Sequence, residues 1–181
     1  MYPFLRLATT LLRARNMPAM DILDTHVSRH RVRLNDCDMF AEMNNGRILT
    51  LYEFGRFEAG VRVGLLKALK KNGWGLTVAG SSIRYRRRLL PLERYEQRSR
   101  IIHWDERFVH IEQGMFKQNG DCASHLLIRT AVVGNGKAIP TEKVLAALGE
   151  PDRASPAAPE WAAAWMQAEA QRPWPPMVDV S

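Results

Sequence analysis

The 181-residue chain predicts an α+β fold in which one antiparallel sheet wraps a single long helix. Three observations predict it: a strand-like segment stands before a long apolar helical segment, four strand-like segments follow, and the joints among those four are short. A hydrophobic content of 46% fills a real core at this length, so one domain over residues 25–150 is expected, with helical appendages at 1–20 and 151–181.

The first fifteen residues, MYPFLRLATTLLRAR, put Phe4, Leu5, Ala8, Leu11 and Leu12 near one helical face, punctuated by Arg6, Arg13 and Arg15. The run is too short to span a bilayer. Its arginines lie within and after the apolar stretch, whereas a signal peptide carries its charge before it. An amphipathic helix docked on its own protein is expected, with a peripheral membrane contact as the alternative. Residues 25–35 alternate as a half-buried strand, and residues 45–71 repeat Ile48, Tyr52, Gly55, Ala59, Val63 and Leu66 at helical steps. Gly55, Gly60 and Gly64 each weaken an exposed helix, so close approach to the sheet is expected to compensate, the alternative being a break near Gly60.

Strands are predicted over 76–89, 94–104, 107–118 and 122–134. The Asn119-Gly120 joint tolerates positive φ and signals a tight hairpin, so the last three strands form an antiparallel meander. A short helix at 141–149, a linker-like EPDRASPAAP and a final helix at 160–171 carrying Trp161 and Trp165 complete the chain, ahead of a PWPP run. The tryptophans are expected to latch onto the body or onto a second subunit.

Two cysteines, Cys37 and Cys122, supply neither a disulfide framework nor a zinc site, and a reducing, cytoplasmic compartment is expected. The formal charge of +7 favours anionic partners, but no aromatic-basic nucleic-acid motif accompanies it. Glycine-rich phosphate loops and dinucleotide fingerprints are absent from the sequence. No metal and no cofactor are expected.

The candidate chemistry lies in Asn35-Asp36-Cys37-Asp38-Met39-Phe40-Ala41-Glu42-Met43-Asn44-Asn45-Gly46-Arg47, where two carboxylates lead into a helix start. Unpaired N–H groups and partial positive charge gather at such an end, where they stabilise a developing oxyanion. Asp38 is the candidate base or nucleophile, or a loop cap; Asp36 holds the loop; Asn44 or Asn45 caps the helix. Glu42 is either a solvated loop charge or an active-site acid. Gly80, Ser81 and Ser82 line an acyl pocket or mark a bulge. The basic run from Arg84 to Arg88, Arg86 among it, meets phosphates or protects a sheet edge.

This order and this motif resemble the hotdog-fold thioesterases, specifically the 4-hydroxybenzoyl-CoA thioesterase-like group with the pattern D-x-D-x-x-x-H-M-N-N-x-R-Y-L. The resemblance continues through Tyr52, Arg56, GSSIRYRRRLLP at 80–91 and WDERF at 104–108. It implies a hotdog fold with active sites between two subunits, in a homodimer or dimer of dimers, and acyl-CoA or another acyl thioester as substrate. It implies catalysis by Asp38 with the amide near Asn45; Glu42, Asn44, Gly46, Tyr52, Ser81, Ser82, Arg84 and Arg86 are the expected substrate-binding residues. Glu42 stands where many relatives carry histidine, and Ile48 replaces the usual tyrosine. A non-catalytic acyl-ligand-binding or scaffold protein on the same fold is the alternative.

Overall fold

The computed structural model describes residues 2–177. Helix α1 (Phe4–Arg15) precedes β1 (His26–Arg31), a 3-10 turn (Leu34–Asp36), α2 (Asn45–Arg62) and α3 (Leu65–Asn72). Four long strands follow: β2 (Gly75–Tyr85), β3 (Arg94–Trp104), β4 (Val109–Lys117) and β5 (Cys122–Gly134). The short β6 (Lys137–Ala138), α4 (Thr141–Leu148) and α5 (Glu160–Gln171) come last. All pairings are antiparallel, in the order β1-β3-β4-β5-β2 with β6 on β5. The expected β3-β4-β5 meander is therefore the centre of the sheet, and β1 and β2 are edges.

Helix α2 lies on the sheet because its inner face is large and apolar. Ile48, Leu51 and Phe54 meet Met115, Leu126 and Ile128 in the main core cluster. A polar seam runs through this interface. Gln113 Nε2 donates to Tyr52 O at 2.9 Å and to Ser99 Oγ at 2.6 Å. Gln97 and Ser99 sit directly under Gly55, where an added Cβ would fall 1.9 Å from Gln97 Nε2. The expected close approach to the sheet thus occurs at Gly55. It does not occur at Gly60, whose Cβ would meet only Leu65 and Leu66, at 3.8 Å or beyond. The helix expected to run unbroken from 45 to 71 is two helices, because Gly64 takes a φ of +81° that only glycine adopts without strain.

The opposite face of the sheet is covered by α5, where Ala162 packs with Ile102 and Leu127. Trp165 and Trp161 lie edge-on to His110 and His125. The tryptophans thus latch onto the chain's own body.

Helix α1 is turned the opposite way from the expectation. Arg6, Thr10 and Ala14 go inside, while Phe4, Leu5 and Leu12 are exposed. The cause is pairing of charges distant in sequence: Arg6 Nη1 donates to buried Asp36 at 2.7 Å, and Arg13 pairs with buried Glu58. Glu58 also accepts from His26 Nε2 at 3.1 Å, and Arg62 donates to His26 Nδ1 at 3.0 Å, an arrangement that assigns the proton of a neutral imidazole to Nε2. Burial alone would raise the Glu58 carboxyl, but His26 and Arg13 hold it below its ordinary value.

Two predictions follow from this packing. Gly55→Ala should lower the unfolding free energy by about 1–3 kcal/mol through overpacking against Gln97, whereas Gly60→Ala should raise it by about 0.5–1 kcal/mol, as read by urea denaturation. The pH dependence centres on His30, whose pKa burial lowers from 6.5 to about 4. Its folded form resists protonation, so its contribution to stability should be lost as pH drops through the interval from 6.5 to about 4. His30→Gln should reduce that slope and leave the part contributed by His110, which burial also lowers.

Candidate functional site

The segment from Asp36 to Asn44 is closed on itself by a ladder of backbone bonds. Asn44 N donates to Asp36 O at 2.9 Å, Cys37 and Met43 form a bridge, and Asp38 N donates to Glu42 O at 2.9 Å. The tip turns through Ala41, whose φ is +53°, and Ala41 N donates to Asp38 O. Asp36 anchors the base of this ladder. Its buried carboxylate accepts from Arg6 and from Arg33 N, and lies 3.4 Å from Arg47 Nε. The loop-holding role expected of Asp36 is what its contacts provide.

Asn44 caps α2, its Oδ1 accepting from Gly46 N at 2.9 Å and from Arg47 N at 3.2 Å. The Gly46 amide is therefore committed to the cap. Among the described residues, the Asn45 N–H is the amide of this first turn without a protein acceptor.

Asp38 is half-buried, and one of its oxygens accepts from Phe40 N at 2.9 Å, closing an Asx-type turn. Beside it, Glu42 pairs with Arg88 Nε at 2.8 Å. The chain after β2 runs along this loop: Met43 N donates to Leu89 O at 2.8 Å, and Tyr85 OH reaches Asn45 O at 3.4 Å. The arginine run thereby borders the helix start. Arg84 and Arg86 are exposed there, and among the described residues neither has a carboxylate within ion-pair distance.

Other expected residues lie elsewhere. Ser81 and Ser82 are exposed on β2, opposite Ile128 and Leu127, roughly 10–13 Å up the strand from Tyr85. Tyr52 lies seven residues after Asn45 on α2, with its hydroxyl on β5. It is fully buried, with its hydroxyl 2.8 Å from both Ser124 O and Ser124 Oγ, and this sealed position makes it a core residue. A surface cleft of about 390 Å³ at the start of α2 is lined by Asp36, Asn44, Gly46 and Arg47, not by Asp38.

The sequence did not reveal a second feature, an apolar cavity of about 200 Å³ between α2, α3, α4 and the sheet. Phe57, Leu66, Leu76, Val132 and Leu145 are among its lining, and Glu53 and Arg56 are its two charged residues. Arg56 Nη1 donates to Gln113 Oε1 at 2.6 Å, and Glu53 accepts from Tyr2 OH at 2.8 Å. Burial lowers the Arg56 pKa to about 10, which leaves it charged at neutral pH. Glu53 lies eight residues, or roughly 12 Å of helix, from Asn45.

Among the described residues, no three His, Cys, Asp or Glu side chains gather as metal ligands. The Cys37 thiol is pushed up by burial and by neighbouring Asp36 and Asp38, which disfavours the thiolate a nucleophile needs.

Comparison with known proteins places these features in context. A profile of the thioesterase-like superfamily matches residues 32–166. Protein THEM6 from Xenopus laevis is 34% identical over 91% of this chain and 78% of its own length. Protein THEM6 from Danio rerio is 38% identical over 64% of this chain and 58% of its own length. The fold is similar to that of the probable thioesterase YbaW from Escherichia coli, with a TM-score of 0.64 and 17% identity over 71% of this chain and 99% of that one. It is also similar to DHNA-CoA thioesterase from Staphylococcus aureus, with a TM-score of 0.61 and 14% identity over 81% and 91%. A hypothetical protein of Staphylococcus aureus, solved in complex with CoA, gives 0.61 and 14% over 79% and 94%.

The contacts of the two aspartates predict different stability effects. Asp36→Ala, which strips a buried partner from Arg6, should destabilise by about 3–5 kcal/mol. Asp38→Ala, which removes one loop hydrogen bond, should change stability by about 1 kcal/mol in the same denaturant titration.

Proposed function

The chain belongs to the thioesterase-like superfamily, and on that premise we propose that it hydrolyses an acyl-CoA-type thioester at the start of α2. The observation that carries the reading is that Asp38, whose loop role is one hydrogen bond from Phe40 N, stands in the loop that leads into a helix start whose Asn45 N–H has no protein acceptor.

A thioester already has a good leaving group, so hydrolysis needs a nucleophile and stabilisation of negative charge on the carbonyl oxygen. In the proposed reaction the carbonyl oxygen accepts from Asn45 N–H, at the positive end of the α2 dipole. Asp38 either takes a proton from water, whose oxygen then bonds to the carbonyl carbon, or attacks that carbon itself to form an anhydride that water cleaves. In both cases the carbon–sulfur bond breaks, the thiolate leaves and takes up a proton, and the acid is released. Glu42, held by Arg88, takes the position that histidine has in the motif of the family, and serves to fix the arginine run beside the loop.

Arg84 and Arg86 suit CoA phosphates, because guanidinium groups bind phosphate through several N–H donors at once. CoA is the ligand in one structural relative and part of the named substrate of another. The cavity beside Phe57 and Leu66 suits the acyl group better than the open surface at Ser81 and Ser82 does. Edge strand β2 is exposed along its length, with Leu76 and Val78 uncovered, and a second copy pairing there would give a homodimer. The alternative, a non-catalytic acyl-ligand-binding or scaffold protein, draws on the same observation that Asp38 already serves its own loop as a hydrogen-bond acceptor.

Thiol release from an acyl-CoA panel separates the two. Asp38→Asn should abolish turnover with the circular dichroism spectrum unchanged; full activity in this variant contradicts the assignment. Tight binding of acyl-CoA with no thiol release in the native protein favours the scaffold reading. Ala131→Leu, which fills the cavity from β5, should raise KM for longer acyl chains by about tenfold and leave the shortest substrates unaffected.

A further inference from the structure

The outward face of α1 is its apolar one, with Phe4 69%, Leu5 87% and Leu12 59% exposed. A surface helix ordinarily turns this face to the core. Here its rotation is fixed from within, because Arg6 and Arg13 are tied to Asp36 and Glu58, so the stripe stays outside.

Beside the stripe, between α1 and β1, lies a cleft of about 690 Å³. Arg6, Arg13, Arg29, Arg31 and Arg33 line it, and no carboxylate does. Arg29 has a loose partner in Glu96 at 3.5 Å; among the described residues Arg15, Arg31 and Arg33 have no carboxylate within ion-pair distance. Leu34 and Leu92, 70% and 54% exposed, also line the cleft.

The combination selects the partner. A nucleic acid would use the arginines and leave the Phe4, Leu5 and Leu12 stripe in water. A second copy meeting this surface about a two-fold axis would bury the stripe but bring like-charged clefts together. A bilayer with anionic headgroups satisfies both halves: apolar side chains enter the boundary between headgroups and acyl chains, while arginines meet phosphates. We propose that this face docks peripherally on an anionic phospholipid bilayer, with α1 lying in the plane of the surface and the cleft holding headgroup phosphates. At twelve residues, about 18 Å, α1 does not span a bilayer. The docking is independent of the proposed hydrolysis.

The test is flotation of the full chain with phosphatidylcholine vesicles and with vesicles that also contain phosphatidylglycerol. The expected result is binding to the anionic vesicles only, weakened by salt. The pair Leu5→Glu with Leu12→Glu, and separately Arg15→Glu with Arg31→Glu, should each weaken binding by about tenfold or more. All four side chains lie outside the catalytic loop, so hydrolysis of a soluble thioester and the circular dichroism spectrum should be unchanged. Equal binding to both vesicle types, or full binding by the Leu5 and Leu12 variant, overturns the proposal. A smaller mass for that variant in light scattering, with vesicle binding intact, overturns it in favour of a second copy.

Discussion

A buried carboxylate, Asp36, organises the part of the molecule on which chemistry and surface both depend. Its charge is taken out of water between the side chain of Arg6, the amide of Arg33 and the guanidinium of Arg47. An ionised group in that position is tolerated only while its partners stay in place. The pairing therefore fixes three things together: how α1 is rotated, where the loop 37–43 leaves the 3-10 turn, and how the first turn of α2 is presented. Because Asp36 does this, Asp38 is free of it.

The second constraint is the contact of α2 with the sheet at Gly55. A helix that approaches closely enough to set an added Cβ against Gln97 brings its backbone carbonyl at Tyr52 onto Gln113 and Gln97, and among the described residues Gln97 Oε1 is the atom of this seam left without a partner. Beyond it, Gly64 turns the chain so that α3 diverges from the line of α2. The diverging helices, the sheet and α4 enclose the apolar cavity.

Much of the architecture was legible in the sequence because it rests on local periodicity. The meander, its Asn119-Gly120 turn and the helices after residue 140 follow from apolar spacing and turn chemistry, and their bounds fall within a few residues of the expected ones. What escaped depends on partners far apart in the chain. The rotation of α1 departs from its apolar spacing, which is real but outweighed by ion pairs of Arg6 and Arg13 with residues thirty and forty-five positions away. Tyr52 follows a family motif, but the helix phase that aims Ile48 and Leu51 at the sheet sends Tyr52 there too. The cavity is assembled from lining residues on several elements, so no single segment announces it. Within the motif itself, the cap at Asn44 and the anchor at Asp36 were visible as residue types; their separation from Asp38 needed the backbone ladder.

The central claim is that the start of α2 receives the thioester, with the Asn45 amide at the carbonyl oxygen and the arginine run at the phosphates. A crystal structure with a CoA thioether that keeps the acyl carbonyl but cannot be hydrolysed tests it most directly. The account predicts that carbonyl oxygen within hydrogen-bond distance of Asn45 N, a carboxylate oxygen of Asp38 facing the carbonyl carbon, and the acyl group directed toward Phe57 and Leu66. An analogue bound with its carbonyl remote from both Asn45 and Asp38 would contradict it.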